Sequence, residues 1–129
     1  MRFLICSLIA IATAEAPLSA KTLVEIGVTT DGSIYSADYD SVKRSGDKAE
    51  VWVFIDHSKD RTAKARSSRE LWKFYCSEET TLTAYWVSYD ARGRVIRSGS
   101  KPDNPYLYEP VVPETFGSFA KNFACTAKQ

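Results

Sequence analysis

Histidine occurs once in this sequence, at position 57. One imidazole beside Asp56 and near Asp60 is a thin donor set for zinc, which takes three or four ligands. The cysteines are too few for a metal-spaced set, and there is no glycine-rich phosphate loop or nucleophile motif. Serine and aspartate are plentiful, but their spacing does not order a catalytic triad. These absences predict a protein that is not an enzyme and has no resident metal or cofactor. Catalysis, metal binding or axial haem ligation at His57 is the competing reading, and a polar strand end is the plain one. A charge excess is lacking too. Seventeen Lys and Arg stand against 16 Asp and Glu, a formal net charge of +1. No long-range field draws nucleic acid to such a chain.

Long apolar runs are absent after the first residues. Phe3 to Ala14 follow Arg2, and Leu18-Ser19-Ala20 supply a small residue at a cut. Residues 1–20 are therefore expected to be a signal peptide, cleaved after Ala20 or, alternatively, after Ala16. The run is too short to span a bilayer comfortably, so no transmembrane segment is expected. Cys6 lies at the front of the run rather than at a lipoprotein-type cut. Residues 21–129 are read as one domain, exported to the periplasm, the medium or the outer-membrane surface. Proline is missing from residues 21–101; Pro102, Pro105, Pro110 and Pro113 then crowd into one stretch. That stretch cannot join a central ladder. It reads as an extended crossing pinned by Tyr106, Leu107 and Tyr108.

What the chain does contain is strand-like alternation. Ala49 to His57 is apolar on both faces, as expected near a sheet centre. Trp72, Phe74 and Cys76 share one face of the next strand, with Leu71, Lys73 and Tyr75 on the other. Val24, Ile26 and Val28 alternate in a first strand. Leu82, Ala84, Trp86 and Ser88 alternate in a later one. Gly32, Gly46 and Gly93 mark turns. Near the end the period changes, and Phe116, Phe119, Ala120 and Phe123 make one helical face. Those phenylalanines are read as core, and Trp72 and Trp86 as core under the helix. With Cys6 in the leader, Cys76 and Cys125 form an even pair. In an exported small domain this reads as one disulfide, with two buried thiols as the alternative.

The ordered set is familiar. Asp31-Gly32-Ser33-Ile34-Tyr35 precedes Asp40-Ser41 and Ser45-Gly46. Val51-Trp52-Val53 follows, then Tyr75 with Cys76, then Tyr89-Asp90 with Gly93 and Val95. The chain closes on Pro113, Phe116-Gly117 and Cys125. Over residues 22 to 125 it resembles the surface-adhesin protein E family of exported Gram-negative proteins. The resemblance implies an α+β, mainly β, fold: an antiparallel sheet of about six strands with a C-terminal helix packed on one face. Cys76 and Cys125 take the family's disulfide positions. Host matrix proteins such as vitronectin and laminin are implied as partners, haem as a further ligand, and a homodimer as the assembly. The namesake's lipid-anchored cysteine has no counterpart here, and the family's adhesion stretches show no motif that aligns.

Two groups of residues are candidate binding positions on their own chemistry. Lys59, Arg61, Lys64 and Arg66 fill a polar loop. It suits a sulfated glycan, an anionic lipid or an acidic protein patch, and its plain reading is a solvated loop. Tyr106 and Tyr108 suit interface anchors, or mere packing of the proline segment. The function expected is an exported binding domain, adhesin-like by resemblance and contacting host extracellular-matrix proteins. The alternative is a periplasmic or envelope protein, structural or inhibitory, with an endogenous protein partner.

Overall fold

The computed structural model describes residues 22–127. The expected signal peptide, both of its cut sites and Cys6 lie outside those residues. Among the described residues, eight strands and one α-helix follow in chain order: β1 Leu23–Val28, β2 Ile34–Asp38, β3 Lys43–Ser45, β4 Lys48–Asp56, β5 Ser67–Tyr75, β6 Thr80–Tyr89, β7 Val95–Ser100, β8 Glu109–Pro110 and α1 Phe116–Cys125. The main path is six strands, β1-β2-β4-β5-β6-β7, with the short β3 on β4 and the short β8 on β6. Every pairing is antiparallel. An antiparallel sheet with a terminal helix is the architecture that the resemblance implies, and the short β3 and β8 are added to the about six strands expected.

The period of two explains the two faces. On β4, Ala49, Val51, Val53 and Ile55 are all buried, and their β5 partners include Trp72 and Phe74. Ala120 and Ala124 of α1 close this core from above. Small residues there let the helix backbone come close to the sheet. Thr115 caps α1, its hydroxyl accepting from the Ser118 amide at 3.2 Å. This satisfies one of the amides that a helix start leaves without a partner. Phe116 sits over Gly27 and against Tyr35, with ring centroids 4.8 Å apart. The far end is covalent: Cys76 and Cys125 are joined, with their Cα atoms 5.8 Å apart.

The proline segment takes the other face. Tyr108 packs on Tyr75 at 4.6 Å, and Asp103 accepts from Lys48 at 3.0 Å and from the Tyr108 hydroxyl at 2.7 Å. The segment then pairs with the start of β6 and delivers α1 to the opposite face. Tyr108 therefore pins the crossing as expected, but Tyr106 does not: at the tip of a 3₁₀ turn it is 95% exposed.

Three further expectations need correction. Phe119 is 50% exposed, because the buried stripe of α1 runs through Phe116, Ala120 and Ala124 at a spacing of four. The simple alternation of the first and sixth strands is broken by bulges, at Ile26 and near Ala84. An inserted residue moves everything beyond it to the other face. Leu82 and Trp86 therefore lie on opposite faces, since Leu82 pairs with Lys73 and Trp86 with Glu70. Trp86 shares the helix face with Trp72 but lies outside the core cluster.

Candidate functional site

The register assembles one row of side chains across the helix face. Tyr35 pairs with Ile55, Ile55 with Ser68, Ser68 with Ser88, and Ser88 with Arg97. The adjoining row is Ala37, Val53, Glu70, Trp86 and Gly99. On β4 both rows are apolar, at Ile55 and Val53; beyond it they carry Ser68, Ser88 and Arg97 in one and Glu70 and Trp86 in the other. Where the helix stops covering the sheet, a cleft of about 620 Å³ opens. Tyr35, Glu70, Trp86, Ser88, Ile96 and Arg97 line it, with Ala63, Lys64 and Ala65 of the β4–β5 loop as its lip.

A chain of hydrogen bonds underlies this cleft. His57 Nδ1 meets Ser33 Oγ at 2.8 Å, and His57 Nε2 meets Ser68 Oγ at 3.0 Å. Ser68 Oγ meets Ser88 Oγ at 2.9 Å, and Ser33 Oγ donates to Asp60 Oδ2 at 3.4 Å. Ser33 and Ser68 are only 4% and 6% exposed, so these polar atoms depend on one another rather than on water. Asp60 can only accept, because hydrogen bonds from Thr62 hold its carboxyl below the ordinary aspartate range. With a neutral ring, one arrangement satisfies all four contacts. Nδ1–H donates to Ser33, which donates to Asp60; Ser88 donates to Ser68, which donates to Nε2.

His57 is thus neither a bare strand end nor an available ligand. Both ring nitrogens are engaged, so axial haem ligation would break the bond to Ser68, and the residues do not fit that role. Among the described residues, no group of three or more His, Cys, Asp and Glu is placed to hold a metal. On the cleft wall, Glu70 Oε2 accepts from Trp72 Nε1 at 2.6 Å. Burial, aided by the Glu70 charge, pushes the Tyr35 hydroxyl above its ordinary range, which keeps it a neutral donor.

The loop cations stand beside the cleft. The β4–β5 loop and the β6–β7 hairpin meet at one end of the sheet, where the Arg66 amide donates to Tyr89 O at 2.8 Å. Lys59, Arg61, Lys64 and Arg66 are exposed there, together with Arg92, Arg94 and Arg97. With Arg69, that end carries eight cationic side chains against the carboxylates of Asp31, Asp56, Asp60 and Asp90. The small net charge of the chain therefore hides a separation of charge along the sheet. Tyr106 and Tyr108 belong to the other end. β5 alone is nine residues long, so the two sets of candidates stand roughly 27 Å apart. The structure does not bring them together.

A family profile described as surface-adhesin protein E matches residues 23–126. The chain belongs to the surface-adhesin protein E family. No curated protein matches it, and no solved structure does. Membership in the surface-adhesin protein E family supports an adhesin-like surface protein with a protein partner, and it suggests export and a non-enzymatic role. No helix among the described residues is long and apolar enough to cross a membrane.

The sequence alone did not point to Ser33, Ser68, Ser88 or Trp86 as site residues. The one available signal was serine on a strand face shared with aromatics, Ser68 with Trp72 and Phe74 on β5 and Ser88 with Trp86 on β6.

Proposed function

We propose that this surface-adhesin protein E family member is an exported, non-enzymatic adhesin-like domain whose cationic end docks on a host extracellular-matrix protein. Residues 1–20 serve as its signal peptide and residues 21–129 as the displayed domain. The observation that carries this reading is the gathering of Lys59, Arg61, Lys64 and Arg66 with the arginines of the β6–β7 hairpin at one exposed end. Such a surface raises the encounter rate with an acidic patch and makes binding depend on salt. The open outer edges of β1 and β7 support a homodimer. Leu23, Val28, Val95 and Ile96 are exposed there, and an open edge is a template for a second strand.

The test is surface plasmon resonance of the purified domain on immobilised vitronectin and laminin across a salt series. Saturable binding that weakens with salt, and weakens further when Lys59, Arg61 and Lys64 become Ala, supports the reading. Binding to neither protein, together with a stoichiometric partner captured from envelope extract, would replace it with an envelope role.

A further inference from the structure

We propose that the helix-face cleft is a saccharide site, built for a pyranose ring that carries a carboxylate or sulfate. It goes beyond the docking role above, because it concerns the cleft beside the cationic end and holds whichever macromolecule that end meets.

The size fits first. About 620 Å³ lies within the roughly 300–1,000 Å³ of small-molecule sites. The walls fit next. Trp86 is seated over Gly99, where a Cβ would come within 2.2 Å of the indole ring, and Tyr35 is held against Phe116. Both platforms are set before a ligand arrives, and aromatic faces suit the C–H face of a pyranose. The floor offers both kinds of polar partner. Glu70 accepts, Tyr35 donates, and Ser88, the open end of the Ser68–His57–Ser33 chain, accepts because its own hydrogen goes to Ser68. A sugar hydroxyl also does both. An apolar ligand would cover these groups without supplying partners, which is costly.

Charge then selects among sugars. Arg97 stands beside Ser88 in the same row, and Lys64 is on the lip. Arginine meets carboxylate and sulfate with a planar pair of donors. Glu70 lies one row away and repels an anion. The anionic substituent is therefore directed toward Arg97, and the ring toward Trp86. The same chemistry is present in sulfated matrix glycans and in uronates of bacterial envelopes, so the probes must separate the two.

Calorimetric titration of the purified protein is the test. The probes are a heparin-derived tetrasaccharide, an oligogalacturonate, neutral chitotetraose, inorganic sulfate and adenosine monophosphate. At least one acidic saccharide should bind saturably, at least tenfold tighter than chitotetraose. The sulfated or the carboxylated probe leading would identify the source. Arg97→Ala should erase most of that preference, and Ser88→Ala and Trp86→Phe should each weaken binding several-fold. Thermal melts of Ser88→Ala, the smallest of these changes, confirm that the site is altered rather than the fold. Equal affinity for chitotetraose would overturn the proposal. So would tighter binding of the nucleotide, or of sulfate alone. Retained binding in Arg97→Ala and Trp86→Phe, lost instead in Lys59→Ala/Arg61→Ala, would also overturn it by moving the attraction out of the cleft. Loss of matrix-protein binding in that double variant, with saccharide affinity unchanged, would separate the two roles.

Discussion

The two ends of this sheet are built on opposite terms. At one end almost everything is fastened. Cys76 is bonded to Cys125, Lys121 meets Glu79 at 2.7 Å, and Asp103 lies between Lys48 and Lys73. Arg44 donates to Cys125 O at the close of α1 and to Gly46 O at 3.0 Å. At the other end, Arg94 pairs with Asp90 of its own hairpin, Arg66 bonds within its own loop, and Lys59, Arg61 and Lys64 are exposed. Exposed ion pairs add little stability, so leaving those cations in solvent sacrifices almost none. The comparison teaches that stability and recognition have been placed apart. One end closes the chain, and the other presents field and cleft.

The largest break of that arrangement is at the covalent end. The bridge closes a loop with a sequence separation of 49, which the chain-entropy account values at about 4 kcal/mol. Cys125→Ala should lower the free energy of unfolding by about 2–5 kcal/mol in denaturant titration. An unchanged midpoint would mean that packing alone holds the helix. The second largest is at the other attachment of α1, near the cleft. A Cβ at Gly27 would lie 2.1 Å from the Phe116 ring, so the ring must move. Gly27→Ala should cost about 1–2 kcal/mol and shift the NMR signals of Tyr35, because the two rings touch.

That asymmetry was only partly legible in the sequence. Strand identity was readable because Ala49 to His57 is an uninterrupted run apolar on both faces and Leu71 to Tyr75 alternates, and the closing helix because its period changes. The bridge was readable because Cys76 and Cys125 are the only cysteines after Cys6. The exceptions have physical causes. The bulge near Ala84 leaves no compositional mark, yet it decides that Trp86 faces the cleft. Phe119 looks like core by type and spacing, but α1 buries the alanines that let it sit close. The cleft was the least legible part. His57, Ser33, Ser68 and Ser88 come from four separate segments, and only the register of non-local strands brings them together. The loop cations were visible, but not their junction with the β6–β7 hairpin.

Smaller effects sharpen the contrast. Glu114 has φ +63°, in the left-handed region that costs a side chain about 1–2 kcal/mol, whereas glycine is at ease there. Glu114→Gly should raise stability, net of glycine's larger unfolded entropy, by about 0.5–1 kcal/mol, read as a higher Tm. The Asp103 cluster supplies a pH test. Burial works to raise this carboxyl, but the Tyr108 hydroxyl and the two lysines outweigh it and leave it below its ordinary 3.8. A depressed folded value means that the contribution is present above 3.8 and is lost as pH falls through the folded value. The Tm gap between wild type and Asp103→Asn should therefore be open at neutral pH and close between about pH 5 and pH 2. A gap that persists at the acid end would place the origin of the effect outside this carboxylate.

The smallest stability effect is expected where the charge is greatest. Lys59→Ala, Arg61→Ala and Lys64→Ala combined remove three exposed cations from an end already rich in them. Arg66 is left in place because it donates to Ser58 O at 3.3 Å. Losing solvated side chains costs little, and relieving like-charge repulsion returns some of it. The triple variant should stay within about 0.5 kcal/mol of wild type in urea titration. Its affinity for an acidic macromolecule should fall markedly, and the salt dependence of binding should flatten. If this variant instead unfolded as readily as Cys125→Ala, the loop would be part of what holds the sheet together. The division of labour between the two ends would then be lost.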